Sequence, residues 1–442
     1  MADWSSLPSE LVRRIADCLL DTNDLDCYVD FRDVCPKWRS ATDDPKDSSE
    51  LRFRPHRRVI IDEVFQSDAR LLVNTVSGRV VRKDLPLLAN YHVIATTHGG
   101  FFVLADKEPP HGAVVLNPFT GHMIRFKAPV PSYVNVSAAA LSGHCAGKLL
   151  MSSFFSGPRS SRPQCSSPTL ILLWDICYEQ YMATPDSGSF SVEFDEDGDP
   201  SSFILMRLAV TGGICAADSW KRKLAPLPAA SARKIFSLIQ QLGIDPHKMF
   251  GEKPVSEFTD IPGMGDSNHA FLVESAGKLL AIIKLQKHLK VFRMDKGDEF
   301  DPVKSIGGHA VFVGYRRCIS VNTGNIPPIT ANCVYYMKST DSSLDIYKYD
   351  IETEIEERVC EAIDSLNPIT LSFASPPFTI VQLLSSYTIN VGESQLAMER
   401  LKLQNLEMER LRQQDPHGGF PRVLFPQDFS FPELELDDDI SD

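Results

Sequence analysis

Phe271-Leu-Val-Glu-Ser-Ala-Gly-Lys-Leu-Leu-Ala-Ile-Ile283 is the stretch whose reading decides the fold class. Two apolar runs of strand length flank Ser275-Ala-Gly277, a small-residue reversal in which glycine removes the steric bar to a tight turn. The same outline of strand, turn and strand returns in Val115-Leu-Asn-Pro-Phe-Thr-Gly-His-Met-Ile-Arg-Phe126 and in Tyr347-Lys-Tyr-Asp-Ile-Glu-Thr-Glu-Ile-Glu-Glu-Arg-Val359. Other short apolar runs lie between them: Val59–Val64, His92–Thr96, Phe101–Ala105, Leu149–Ser153, Leu170–Trp174, Phe203–Leu208, Leu289–Arg293, Ala310–Val313, Cys333–Tyr336 and Leu344–Tyr347. Turn chemistry at Ser77-Gly78, His98-Gly-Gly100 and Asn117-Pro-Phe-Thr-Gly121 separates them. Too few helical patterns intervene for a doubly wound sheet. A weak internal echo of this kind predicts radial repetition, which protects the edges that one flat sheet would leave open. Residues 51–390, at about 45–50 residues per blade, leave room for six or seven blades of a propeller.

Composition excludes other classes. The chain has 442 residues, 43% hydrophobic and 23% charged, which is ordinary globular usage. Its net charge of −13 argues against a nucleic-acid backbone as the main partner, since phosphates are repelled. No apolar run approaches the roughly 20 residues of a spanning helix, so no membrane partner is expected. The N-terminus lacks a basic region followed by an apolar core, so no signal peptide is read. The 10 cysteines include no C-x-x-C pair, and the expectation is free thiols in a reducing cytoplasmic and/or nuclear setting. No nucleophile elbow, phosphate loop or H-E-x-x-H motif is present. Gly263-Met-Gly265 lacks a third glycine, and Glu193–Asp199 reads as a solvated acidic turn because Pro200 and Met206 stand where a calcium loop needs Gly and Glu. No cofactor, metal or catalytic residue is expected, and a non-enzymatic chain follows.

Ahead of the strands stands a helical head. Leu7-Pro-Ser-Glu-Leu-Val-Arg-Arg-Ile-Ala-Asp-Cys-Leu-Leu20 has Pro8 suited to a first turn and Leu11, Ile15 and Leu19 recurring every four residues, flanked by Val12 and Cys18. Asn23-Asp24 offers a cap for a second helix, with Leu25, Tyr28, Val29 and Phe31 apolar. Pro36 starts a third, with Trp38 pointing inward. Three helices in about 40 residues are near the lower limit for a self-sufficient core. The head therefore packs on the rest of the chain, or gives apolar surface to another protein; composition leaves both open.

Leu7-Pro8, Leu11, Ile15, Leu19 and Val34-Cys35-x-x-Trp38-Arg39 resemble an F-box. The departures are Tyr28-Val-Asp-Phe31, where a Leu-rich stretch is usual, and Pro36 after the cysteine. The resemblance implies docking to a Skp-type adaptor and, through it, to a cullin ubiquitin ligase. Leu7, Pro8, Leu11, Ile15 and Leu19 are then the adaptor-facing or supporting positions, and Val34, Cys35 and Trp38 the F-box core. For Trp38, Val34 and Ile15, membership of the head's own core is the plainer reading.

A second resemblance covers most of residues 51–390. Phe271-Leu-Val-Glu-Ser-x-Gly-x-Leu-Leu280, Val291-Phe-Arg-Met-Asp295, Ser305-Ile-Gly-Gly-His-Ala-Val-Phe-Val-Gly314, Asn332-Cys-Val-Tyr-Tyr336 and the upstream Leu116-Asn-Pro-Phe-Thr-Gly121 are similar to the C-terminal body of plant F-box proteins of the KIB type. That body is described as a β-propeller. The expected fold is thus α+β, with a three-helix F-box at 1–50 followed by a mainly-β propeller-like domain at 51–390.

Arg159–Ser167 reads as a polar loop, and Ala229–Gly243 as an inserted helix. Residues 391–442 read as a charged helix without a heptad seam, then an acidic, disordered tail. The first functional reading is the substrate-recognition subunit of a Skp–cullin–F-box ligase, gripping the adaptor by its head and an unidentified protein target by its propeller. The alternative is a non-ligase F-box scaffold or inhibitor. A propeller enzyme ranks third.

Overall fold

The structure, a computed structural model, describes residues 4–22, 24–45, 53, 55, 58–61, 69–97, 100–132, 134, 136, 138–142, 168–174, 179–193, 269–276, 278–284, 288–294, 300–314, 317–339, 344–363, 378–389 and 394–414. Three helices come first: α1 (Ser9–Asp21), α2 (Leu25–Asp33) and α3 (Pro36–Ala41). The chain divides into two compact units, Met1–Ala397 and Met398–Asp442, so the head and the strands share one unit.

Five sheets follow. The first is β1 (Arg58–Ile61), β2 (Ala69–Asn74) and β3 (Val80–Asp84), in that order. The second is β4 (Tyr91–Thr96), β5 (Phe102–Asp106), β6 (Gly112–Leu116) and β7 (Met123–Pro129). The third is β8 (Ala138–Ser142), β9 (Thr169–Trp174), β10 (Glu179–Ala183) and β11 (Ser191–Glu193). The fourth is β12 (His269–Ser275), β13 (Lys278–Lys284), β14 (Leu289–Met294) and β15 (Phe300–Pro302). These four are antiparallel meanders. The deciding stretch 271–283 is the β12–β13 hairpin, with Phe271 opposite Ile282 and Val273 opposite Leu280.

The fifth sheet differs. It holds β16 (His309–Val313), β17 (Cys318–Asn322), β18 (Cys333–Ser339), β19 (Leu344–Asp350) and β20 (Glu356–Glu361) in the order β17-β16-β18-β19-β20. β16 pairs antiparallel with β17 but parallel with β18. Five sheets, rather than the six or seven for which the length leaves room, are seen among the described residues. The expected strands Leu149–Ser153 and Phe203–Leu208, the loop Arg159–Ser167, the helix Ala229–Gly243 and the acidic tail lie outside them.

Neighbouring sheets share cores. Val103 and Val115 of the second meet Leu141 and Leu172 of the third. Val273 and Ile282 of the fourth meet Val311 and Tyr336 of the fifth. Phe312 and Tyr335 of the fifth, stacked with centroids 4.6 Å apart, share a core with Val59, Ile61 and Val73 of the first. Each fully buried aliphatic or aromatic side chain contributes about 1.5–3 kcal/mol. Deep burial also pushes thiols up, Cys318 to about 12 and Cys333 to about 11.

A helix completes the join between the last and first sheets. α4 (Ile380–Ile389) is buried on every side and packs on β1, β16, β17 and β18. Two of its polar groups are tied to neighbouring strands and loops: Gln382 Nε2 donates to Glu361 O at 3.0 Å, and Thr388 O accepts from Arg317 N–H at 3.1 Å. A Cβ on Gly314 would stand 2.5 Å from Thr388 Oγ1 and 2.6 Å from Thr388 O. Gly314→Ala is expected to cost about 1–3 kcal/mol through overpacking. Gly188→Ala, with nothing within 4 Å of the added atom, is the comparison. Equal urea midpoints for the two variants would show that α4 does not close on Gly314.

α5 (Gln395–Gln414) begins in the first unit, where Leu396 joins the core of the second and third sheets and Gln395 Oε1 accepts from Val93 N–H at 2.8 Å. The second unit carries the rest of α5, with Leu401, Leu403 and Leu406 exposed and Arg410 3.9 Å from Glu407. Apolar positions spread round its axis, as the sequence predicts. Among the described residues no helix is long and apolar enough to cross a membrane.

Candidate protein-interaction surface

α1 carries two apolar rows side by side. Val12, Ala16 and Leu20, four apart, are buried. The neighbouring row is Leu11, Ile15 and Leu19, one residue earlier and so about 100° round the helix. Leu11 is 43% and Ile15 41% exposed, and only Leu19 is half-buried. The stripe that stands out in sequence is therefore the outer one.

The inner row serves two cores. Val12 meets Trp38 and Ala41, with Leu7, Phe31 and Cys35 packed alongside. The Phe31 and Trp38 rings lie 4.4 Å apart, and Cys35 Sγ caps α3 by accepting from Trp38 N–H at 3.5 Å. Arg13 Nε donates to Ala41 O at 3.0 Å, and Arg32 is paired with Asp44 at 3.2 Å. Lower on α1, Ala16 and Leu20 join Leu25, Tyr28 and Phe53 in one core with Ile60 and Leu72 of β1 and β2 and with Phe102, Leu104 and Val114 of the second sheet. The head is thus built into the first two sheets.

Charge reinforces the joint. Arg58, at the start of β1 and 1% exposed, reaches Asp24 at 2.6 Å and Asp26 at 2.5 Å, at the N-terminus of α2. Its guanidinium lies 4.7 Å from the centroid of the Phe119 ring. Arg79 reaches Asp26 at 3.2 Å and touches Cys27 Sγ. Asp24 is the N-cap of α2 yet makes no side-chain cap bond, because its carboxylate faces Arg58 instead; Asn23 lies outside the described residues. Burial pulls the Lys83 ammonium below its ordinary value, while Asp26 and Asp30 pull it back up. Asp24, Asp26 and Cys27 place three ligand atoms close enough for a metal ion, but two guanidinium groups already stand on the acids.

The remaining sequence-assigned residues divide. Pro8 is exposed and Leu7 half-buried beside Trp38. Trp38 is core, and Cys35 lines that core. Two residues read as core are not: Val34 is 60% exposed, and Ile15 lies in the outer row. Val34 follows the buried face of α2, formed by Leu25, Tyr28 and Arg32, but stands two residues past Arg32, about 200° round the axis. Trp4, 66% exposed in a short 3-10 turn before α1, was not singled out by sequence reasoning and has no periodic partner that could flag it. Leu11 and Ile15 form an outward apolar row on α1, Trp4 and Val34 are exposed elsewhere on the head, and the Ala16–Leu20 side is covered by the chain's own sheets. Such a row can bury apolar area against another protein and can do no bond-making chemistry.

A helical head packed on sheets that share cores with their neighbours is the architecture of a β-propeller, with five blades seen among the described residues. The sequence model of the KIB1-4 beta-propeller family matches residues 72–354, and the chain belongs to that family. The match covers the blades from β2 into the β19–β20 turn and leaves the head and α5 outside it. No curated protein compared with the chain matches it.

Proposed function

We propose that the chain is the substrate-recognition subunit of a Skp–cullin–F-box ubiquitin ligase. The observation that carries this reading is the outer row of α1: Leu11 and Ile15 stay exposed although the inner row is fully used by the chain's own cores. An apolar row left out of an otherwise complete core suits a permanent partner of matching apolar surface. The F-box resemblance gives that partner's class, a Skp-type adaptor. The propeller then holds the protein target near ubiquitin-charged enzyme and raises its effective concentration there, with no catalytic group of its own.

Capture of purified Skp-type adaptor by the full chain tests the reading. Leu11→Asp with Ile15→Asp is expected to weaken capture by about 100-fold or more, since each removes an apolar anchor and leaves a charge to be desolvated. Glu352→Gln, on the rim of the last blade, leaves capture unchanged. Equal capture by the double variant would refute the interface. Adaptor capture without cullin in the assembled complex would favour a non-ligase scaffold.

A further inference from the structure

We propose that β20 accepts a basic, extended segment of a partner protein as a sixth strand of the fifth sheet. This deepens the receptor reading and rests on it for the view that the propeller carries a target.

Three observations converge. First, β20 ends the strand order, and among the described residues no strand pairs with its outer side. Its outward N–H and C=O groups form a template for another strand. Second, residues 352–359 are exposed without interruption. Ile355 is 55% and Val359 38% exposed, and the only other large apolar side chain exposed on the blades, among the described residues, is Val80. Third, the edge is acidic. β20 carries Glu356, Glu357 and Glu361, and the turn that leads into it carries Glu352 and Glu354, with Asp350 ending β19.

The nearby cations are already engaged. Lys348 pairs with Glu357 at 2.9 Å, Lys338 with Glu356 at 2.5 Å, and Arg358 holds Asp345 through two hydrogen bonds of 2.9 Å. Glu352 and Glu354 have no ion-pair partner among the described residues. Like charges oppose pairing of β20 with a second copy of itself, whereas a cationic strand gains both backbone hydrogen bonds and charge. The register shift opposite Ile346 and Tyr347 leaves Val359 out of step, so the regular stretch is Glu356–Arg358, continued by the turn. Two other terminal strands are basic instead, β3 with Arg82 and Lys83 and β7 with Arg125 and Lys127, and repel the same ligand.

The probe is a fluorescein-labelled Lys-Val-Lys-Val-Lys-Val-Lys peptide, with its Glu-Val counterpart as control, titrated into the full chain and followed by anisotropy. The lysine peptide is expected to bind, to weaken as salt is raised, and to slow hydrogen exchange at β20. Glu352→Gln with Glu357→Gln, both exposed, should weaken it by about 10-fold or more. Equal binding of the two peptides, no effect of the charge variant, or protection anywhere but β20 would overturn the proposal. The same preparations are tested against the adaptor. Peptide binding with no adaptor capture counts against the receptor reading alone, and adaptor capture with no peptide binding counts against this proposal alone.

Discussion

Arg58→Ala is expected to lower the unfolding free energy of the first unit by about 3–5 kcal/mol, the usual cost of removing one partner from a buried charge cluster. Arg58 is almost fully enclosed, and Asp24 and Asp26 remain largely enclosed after its removal, with the half-exposed Arg79 and the weaker field of Lys83 left to answer them among the described residues. The loss includes packing, because the guanidinium also covers the Phe119 ring. Arg58→Lys should recover little, since one ammonium cannot serve two carboxylates and a ring face together. Urea unfolding followed by circular dichroism measures the difference. A change below about 1 kcal/mol would mean that apolar packing alone holds the head to the first two blades.

Trp38→Ala is expected to cost about 3–5 kcal/mol, but in a different place. Trp38 belongs to a small core made only of head residues, so the variant should speed hydrogen exchange in α1 and α3 while the amides of β16 and β18 stay protected. Adaptor capture should fall with it, because Leu11 and Ile15 lose their support. Among the described residues the indole N–H has no hydrogen-bond partner. Trp38→Phe removes that buried donor, so it should cost clearly less than Trp38→Ala. Uniformly faster exchange throughout the propeller would show that the head and blades unfold as one.

The hairpins were legible because a strand–turn–strand pattern is local. Phe271–Ile283, Val115–Phe126 and Tyr347–Val359 each read as the structure shows them. The blade number was not, since blades are counted by packing between distant segments. α4 was missed: Ile380-Val-Gln-Leu-Leu-Ser-Ser-Tyr-Thr-Ile389 is buried all round and so has no amphipathic period. The outer row of α1 was visible as a stripe, but which of two adjacent rows faced inward depended on β1 and the second blade. The Arg58 joint had no signal at all, because Asp24 reads as a helix cap until a cation 34 positions later is brought against it. Val34 failed for a geometric reason, a position past the end of the helical face to which it was assigned.

The placement of α4 has a consequence for biosynthesis. Val59 and Ile61 leave the ribosome early, yet the helix that covers them follows about 320 residues later, which at about 5–20 residues per second is roughly 16–64 s of elongation. For that interval the first blade has an unsealed greasy flank. A nascent chain of this design calls for chaperone cover until residue 389 has emerged, and a ribosome stalled short of that point would release a sticky, protease-sensitive product rather than a smaller working one.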